Sequence, residues 1–231
     1  CKGSTPYIKK VVDARIPTVL IDRDIPEVDC GKVLLDNFKA GRMAATHLIS
    51  SGYRKIAMVN YTLGISSMTE RELGYRSAMA DSGLGEYVSV SYTAYGNAEK
   101  DVMDFIADAV ARGVEAVIFP TNTISVLGLK AIHDFGIKVP DRLAVICFDN
   151  NDSYDLYSPR MTRITQSTKD MAFGAFSMLK DMIENSQSGH SRRLLLEPEM
   201  ICRESTVAVG ETKALSVRTP EFTLADSILL P

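Results

Sequence analysis

The chain has 231 residues, 45% of them hydrophobic, enough to bury a sizeable core and to exclude intrinsic disorder as its governing state. Its formal net charge is −3 and no run of Lys or Arg exceeds two residues, so it lacks the electrostatic footprint of a nucleic-acid-binding surface. Cys1, Cys30, Cys147 and Cys202 are widely separated and make no CxxC or Cys/His spacing. That argues against a metal centre or a disulfide framework and for reduced thiols, while no stretch approaches the roughly 20 apolar residues of a membrane span.

Taken in chain order, short β-branched and aliphatic runs alternate with longer segments of helical period, the pattern of strands joined by crossover helices in a parallel sheet. A strand is expected at 17–22 and a weaker one at 33–35, followed by a helix at 37–50. Then come strand 55–61, helix 69–82, strand 88–95, helix 98–111, strand 116–120, helix 124–135 and strand 143–149. A second weak strand at 162–165 precedes helix 168–184, a polar loop at 186–191 and strand 194–202. The five helices each set apolar residues at i, i+3, i+4 and i+7. Gly52, Gly83, Gly113 and Gly136 fall just past four of them, where a left-handed residue closes a helix. In an open parallel sheet ligands sit beyond the carboxyl ends of the strands, which directs attention to the residues after Ile21, Tyr61, Tyr92, Phe119 and Phe148.

Six segments in order, IPTVLIDR, DNFKAGRMAATHLISSGYRKIAMVN, RELGYRSAM, VPDRLAVICFDN, SPRMTRITQ and CREST, resemble the consecutive signatures of sensor domains of the LacI/GalR family of transcriptional regulators, over about 16–206. The resemblance implies an α/β, type I periplasmic-binding-protein-like fold: two doubly wound parallel-sheet lobes, three crossovers, and an effector in the cleft between them. It implies crossovers near 33–36, 162–166 and 189–194. Residues 1–34 and 165–190 would form a partial N-terminal lobe that includes a helix at 8–14, and 36–163 with 194–206 the C-terminal lobe. Residues 207–231 would be an irregular tail. The start of the N-terminal lobe and the DNA-binding helix-turn-helix would lie outside this chain.

The resemblance also implies effector-binding residues. Asp149 ends the apolar strand LAVICFD, where its carboxylate can accept from two neighbouring hydroxyls; a turn-capping Asp is the plain alternative. Arg71, inside the helix after YTLGISSM, would grip the effector with its planar fork of donors, against the alternative of a solvated helix-face charge. Ser67 and Asn122 match further polar contacts, and each is equally suited to cap a helix. The family's usual Asp beside Asn122 is Thr123 here. Asp22 and Gln166 match cleft positions at the first strand's end and the second crossover, and Tyr95 an aromatic against a sugar's apolar face, with core packing as its alternative.

No catalytic residue, metal or cofactor is expected, since neither His47 nor His133 has a nucleophile and an acidic orienter beside it, and no phosphate-cradling glycine loop is present. An allosteric sensor is therefore expected: cytoplasmic, homodimeric in part through the apolar segment ISVLGLKAI, taking a small-molecule effector, a carbohydrate by family default, and reaching operator DNA through the separate headpiece. A periplasmic or lipid-anchored sugar-binding protein of a transporter is the alternative. The residues leave sugar, sugar phosphate and purine open as effectors.

Overall fold

The computed structural model describes residues 3–62, 64–184 and 192–207. Helix α1 (Thr5–Asp13) leads into β1 (Val19–Ile21) and β2 (Gly31–Leu35). The chain continues through α2 (Asn37–Ser50), β3 (Ile56–Tyr61), α3 (Ser66–Asp81), β4 (Ser89–Thr93), α4 (Ala98–Ala111), β5 (Ala116–Ile118), α5 (Asn122–Asp134) and β6 (Ala144–Phe148). It ends with β7 (Thr162–Thr165), α6 (Thr168–Glu184), β8 (Arg193–Leu196) and β9 (Glu199–Ile201).

Two sheets result: a three-stranded one in the order β1-β2-β8, all parallel, and a six-stranded one in the order β4-β3-β5-β6-β7-β9, parallel except for β9. In the larger sheet the central strands β3, β5 and β6 are buried on both faces, so they read as nearly unbroken apolar runs. Ile56, Met58, Ile118 and Ile146 meet the helices α2 and α3, while Ala57, Val59, Val117 and Val145 meet α4 and α5. Gly52, Gly83, Gly113 and Gly136 all have positive φ, as their positions past the helices predict.

The chain passes between the sheets three times: from β2 into α2, from β7 into α6, and from β8 into β9. The last pass corrects the single strand expected over 194–202. Pro198 has no N–H to donate, so pairing stops there and the run is divided in two. Leu194–Leu196 pair with β2 in the smaller sheet, and the placement of 194–196 in the C-terminal lobe is corrected accordingly; the crossing falls at 197–198 rather than 189–194. The side chain of Leu194 reaches the glycine gap on α6 at Gly174, which holds β8 on that side. The loop expected at 186–191 and, from 208 on, the tail lie outside the described residues.

Two features brace the larger sheet and its helices. Gly41 and Gly74 let α2 and α3 touch backbone to backbone: a Cβ at Gly41 would lie 1.9 Å from the Arg71 carbonyl oxygen, and one at Gly74 2.0 Å from that of Phe38. At the other end, the CREST segment ties the last turn to the sheet. Buried Ser205 donates through Oγ to the Val145 carbonyl (2.7 Å) and accepts from the Thr162 N–H (2.8 Å), while Thr206 Oγ1 meets Thr162 Oγ1 (2.8 Å) and His47 Nε2 (2.7 Å). His47 is therefore a packing and hydrogen-bonding residue, and burial lowers its pKa.

Candidate functional site

The carboxyl ends of β1, β3, β5, β6 and β7 converge on a cavity of about 280 Å³ at the junction of the two sheets. Six of the seven residues expected at the site line it: Asp22, Ser67, Arg71, Tyr95, Asp149 and Gln166. Arg23, Tyr61, Ile65, Met68, Thr121 and Thr123 complete the lining.

Asp149 is the hub. β6 ends one residue before it, and its backbone turns into the left-handed region (φ 72°), which Asp tolerates better than most residues. Its N–H still donates to the Ile164 carbonyl (2.9 Å), so the turn is held by the adjacent strand. The carboxylate then bridges two elements: Oδ2 accepts from the Asn122 backbone N–H at the start of α5 (2.9 Å), and Oδ1 from Gln166 Nε2 at the end of β7 (3.1 Å). One carboxylate thus holds the start of α5 and the end of β7 while lining the cavity.

Arg71 enters from α3 with only 2% of its surface exposed. Its Nε donates to Asn37 Oδ1 (2.9 Å) and Nη1 to the Pro120 carbonyl (2.5 Å), and the guanidinium lies 4.6 Å over the Phe148 ring. Asp149 Oδ1 is 3.9 Å from Nη1. Burial pulls the arginine's pKa down, and the charges of Asp149 and Asp22 oppose that pull. The solvated helix-face alternative does not describe this residue. Its anchors, Asn37 and Phe148, could be read in the sequence only as a helix start and a core aromatic.

Asp22 comes from the smaller sheet, again at positive φ (59°), with its N–H donating to the Val33 carbonyl (2.9 Å). Its Oδ1 is buried and meets no hydrogen-bond partner among the described residues. Desolvation pushes this carboxyl upward, Arg71 and Arg23 pull it back, and Asp149 adds repulsion. Gln166 offers a second buried acceptor without a partner, its Oε1.

Ser67 is buried in the first turn of α3, one residue in from Ser66; the residue in the capping position is Ile65, with no side-chain cap. Asn122 is the first residue of α5, and Thr121 caps that helix by accepting from the Ile124 N–H (3.1 Å). The Asn122 side chain lies outside the cavity lining: its Oδ1 accepts from Asn151 Nδ2 (2.7 Å) and the Tyr154 hydroxyl (3.1 Å). Only its backbone N–H reaches the hub.

Tyr95 is 71% exposed and its ring stands 5.8 Å from that of Tyr61, tilted by 33°. Sequence reasoning missed Tyr61 as a lining residue because it closes a strand buried along its whole length and resembles core; its place at a strand end was the available signal. Its buried hydroxyl faces the Thr121 side chain without closing a hydrogen bond of normal geometry, and burial raises its pKa.

Two parallel sheets joined by three chain passes, with charged and amide side chains gathered at the strand ends between them, define a ligand-binding α/β cleft domain. Residues 45–206 match the periplasmic binding protein-like domain, and the chain belongs to that family in its LacI-type, effector-binding form. The HTH-type transcriptional repressor PurR of Vibrio campbellii is 28% identical over 211 residues, covering 89% of this chain and 62% of the repressor. A transcriptional regulator CelR in complex with cellobiose is 28% identical with a TM-score of 0.73, covering 84% of this chain and 60% of that one. A LacI family transcriptional regulator from Enterococcus faecium with bound ribose shares the fold at 20% identity and a TM-score of 0.80, covering 89% of this chain and 76% of its own. The chain spans about three fifths of the length of the PurR proteins it matches.

Proposed function

We propose that the chain is the effector-sensing part of a cytoplasmic LacI-family transcriptional regulator, which takes a small molecule, a sugar by preference, between its two sheets and thereby alters DNA binding by the whole protein. The observation that carries this reading is the Asp22, Arg71, Asp149 and Gln166 cluster, drawn from both sides of the junction crossed by three chain passes. A ligand bound there touches both sheets, so its affinity differs between open and closed arrangements, which is the requirement for an effector to shift them. The cellobiose and ribose complexes of similar regulators support a sugar, and the repressor names of the relatives support a regulatory rather than enzymatic role. No helix among the described residues is long and apolar enough to cross a membrane.

Pairing of two copies would pass the change to operator DNA. The apolar segment ISVLGLKAI of α5, which exposes Val126, is the part of the surface offered for that pairing. The test is a thermal-shift screen of the full-length protein against mono- and disaccharides, sugar phosphates and purines, followed by operator-binding anisotropy with the best hit. A ligand at 100 times its Kd stabilises by about 2.7 kcal/mol. Asp149→Ala and Arg71→Ala should abolish that shift; undiminished stabilisation in both would overturn the site, and operator affinity indifferent to the ligand would overturn the regulatory role.

A further inference from the structure

The first pass between the sheets is a single residue long. β2 ends at Leu35, α2 starts at Asn37, and Asp36 alone joins them. Asp36 is held on both sides: its N–H donates to the Leu196 carbonyl of β8 (2.9 Å), and its Oδ1 caps α2 by accepting from the Lys39 N–H (2.8 Å). The capping role is thereby filled, so a cap does not account for the polar side chain that follows. Asn37 is 3% exposed, too little for an amide kept for water. Its Nδ2 donates back across Asp36 to the Leu35 carbonyl (3.1 Å), and its Oδ1 accepts from Arg71 Nε (2.9 Å).

One amide therefore touches the last residue of a strand in the smaller sheet and the buried arginine of the cavity, while standing outside the cavity lining itself. Helix α2 meets Arg71 twice. Gly41 lies four residues beyond Asn37 on the same face and lets the Arg71 backbone come close enough for the Asn37 side chain to reach Nε. Asn37 on Nε and the Pro120 carbonyl on Nη1 then fix the guanidinium over the Phe148 ring, 4.6 Å from its centre. A planar fork held at two of its five N–H groups presents the others in a set direction. Released at Nε, the same fork can turn about its remaining contact.

We propose that Asn37 is a positioning residue for effector binding: its Oδ1 sets the orientation of Arg71 in the cavity, and its Nδ2 fastens that arginine to the first crossing between the sheets. The proposal rests on the sensing role given above. A turn of one sheet against the other must be absorbed by the few residues that join them, and Asp36 is one of these. The Asn37 amide closes a ring across it, so a shift of Arg71 on ligand binding and a change of backbone at Asp36 act on the same side chain.

The two halves separate by substitution. Asn37→Asp keeps an acceptor for Arg71 and suits the first turn of a helix, but a carboxylate cannot donate to the Leu35 carbonyl. Asn37→Ala removes both bonds; should it not fold, Asn37→Ser, with its shorter side chain, replaces it. The full-length protein is studied by NMR of the arginine Nε–H signals, by calorimetric titration with D-ribose and cellobiose, and by operator-binding anisotropy. The Arg71 Nε–H is expected to exchange with water slowly in the wild type and in Asn37→Asp, and about tenfold faster or more in Asn37→Ala. The sugar that binds is expected to weaken about tenfold in Asn37→Ala and by less than about threefold in Asn37→Asp. Asn37→Asp is expected to bind that sugar yet lose about fivefold or more of its effect on operator affinity. Wild-type exchange and sugar affinity in Asn37→Ala overturn the positioning role, and a full operator response in Asn37→Asp overturns the tie to the crossing; in both cases the sensing role stands. Binding of neither sugar by the wild type counts against the sugar-sensing reading instead, and the exchange rate of the Arg71 Nε–H still decides whether Asn37 positions it.

Discussion

Replacing Gly41 with alanine tests the claim that a backbone contact between two helices positions Arg71 at the cavity. The added Cβ would sit 1.9 Å from the Arg71 carbonyl oxygen, 2.6 Å from its carbonyl carbon and 2.8 Å from its Cα. Ordinary contact begins near 3.4 Å, so α2 and α3 must part by about 1.5 Å, and the atoms in the way are main chain that no rotamer change can move. Overpacking of this kind costs roughly 3 kcal/mol. Alanine's better helix propensity returns about 1 kcal/mol. The net loss of about 2 kcal/mol corresponds to a fall in Tm of about 4–8 °C for a chain of this size. Because the clash is with Arg71 itself, effector affinity should fall with it. Thermal unfolding of G41A beside G96A is the assay, since nothing lies within 4 Å of a Cβ at Gly96. G41A melting together with G96A, with ligand affinity intact, would refute the reasoning.

Other expected outcomes follow from single groups. Tyr75→Phe removes a buried hydroxyl that donates to the Ile56 carbonyl (2.7 Å) and accepts from the Ser89 N–H (3.0 Å), so it should cost about 1–3 kcal/mol and speed amide exchange at the start of β4. Asp22→Asn should stabilise the free protein at pH 7 while changing ligand preference. The folded pKa of Asp22 is raised, so its ionised form weakens the fold above that pKa, and the gain from Asn should disappear as pH falls below the unfolded value of 3.8. The opposite sense holds for His47. Its folded pKa is lowered, so stability is complete above the unfolded value of 6.5 and is lost as pH falls below it; His47→Gln should flatten that decline in denaturant titrations over the same range.

Most of the sheet order's ingredients could be read from the sequence because buried parallel strands are apolar on both faces and helices carry their own period. Helices α2, α4 and α6 have the expected bounds, whereas α3 begins at Ser66 rather than residue 69, because the polar Ser66, Ser67 and Thr69 disguise a first turn that points into the cavity. The division at Pro198 was visible as a residue but not as a change of sheet, since Leu194–Leu196 and Glu199–Ile201 read as one strand until their partners are known. At the site, strand ends pointed to Asp22 and Asp149, and the family resemblance supplied Gln166. Their joining could not be read, because the bond from Gln166 to Asp149 depends on β6 and β7 being neighbours. Asn122 shows the converse: a polar residue in the expected place whose side chain is claimed by Asn151 and Tyr154.

Both carboxylates of the cleft stand at positive φ, at the last bend before the chain leaves the sheet. Few side chains are comfortable there; besides glycine, asparagine and aspartate are the main ones. The alphabet open to these two positions is therefore short, and its chief members differ by charge more than by shape. Exchanging Asp for Asn at position 22 or 149 would then change the charge of the cavity with the backbone undisturbed. In such a cleft the fold itself restricts the charge of the lining to a small set of settings.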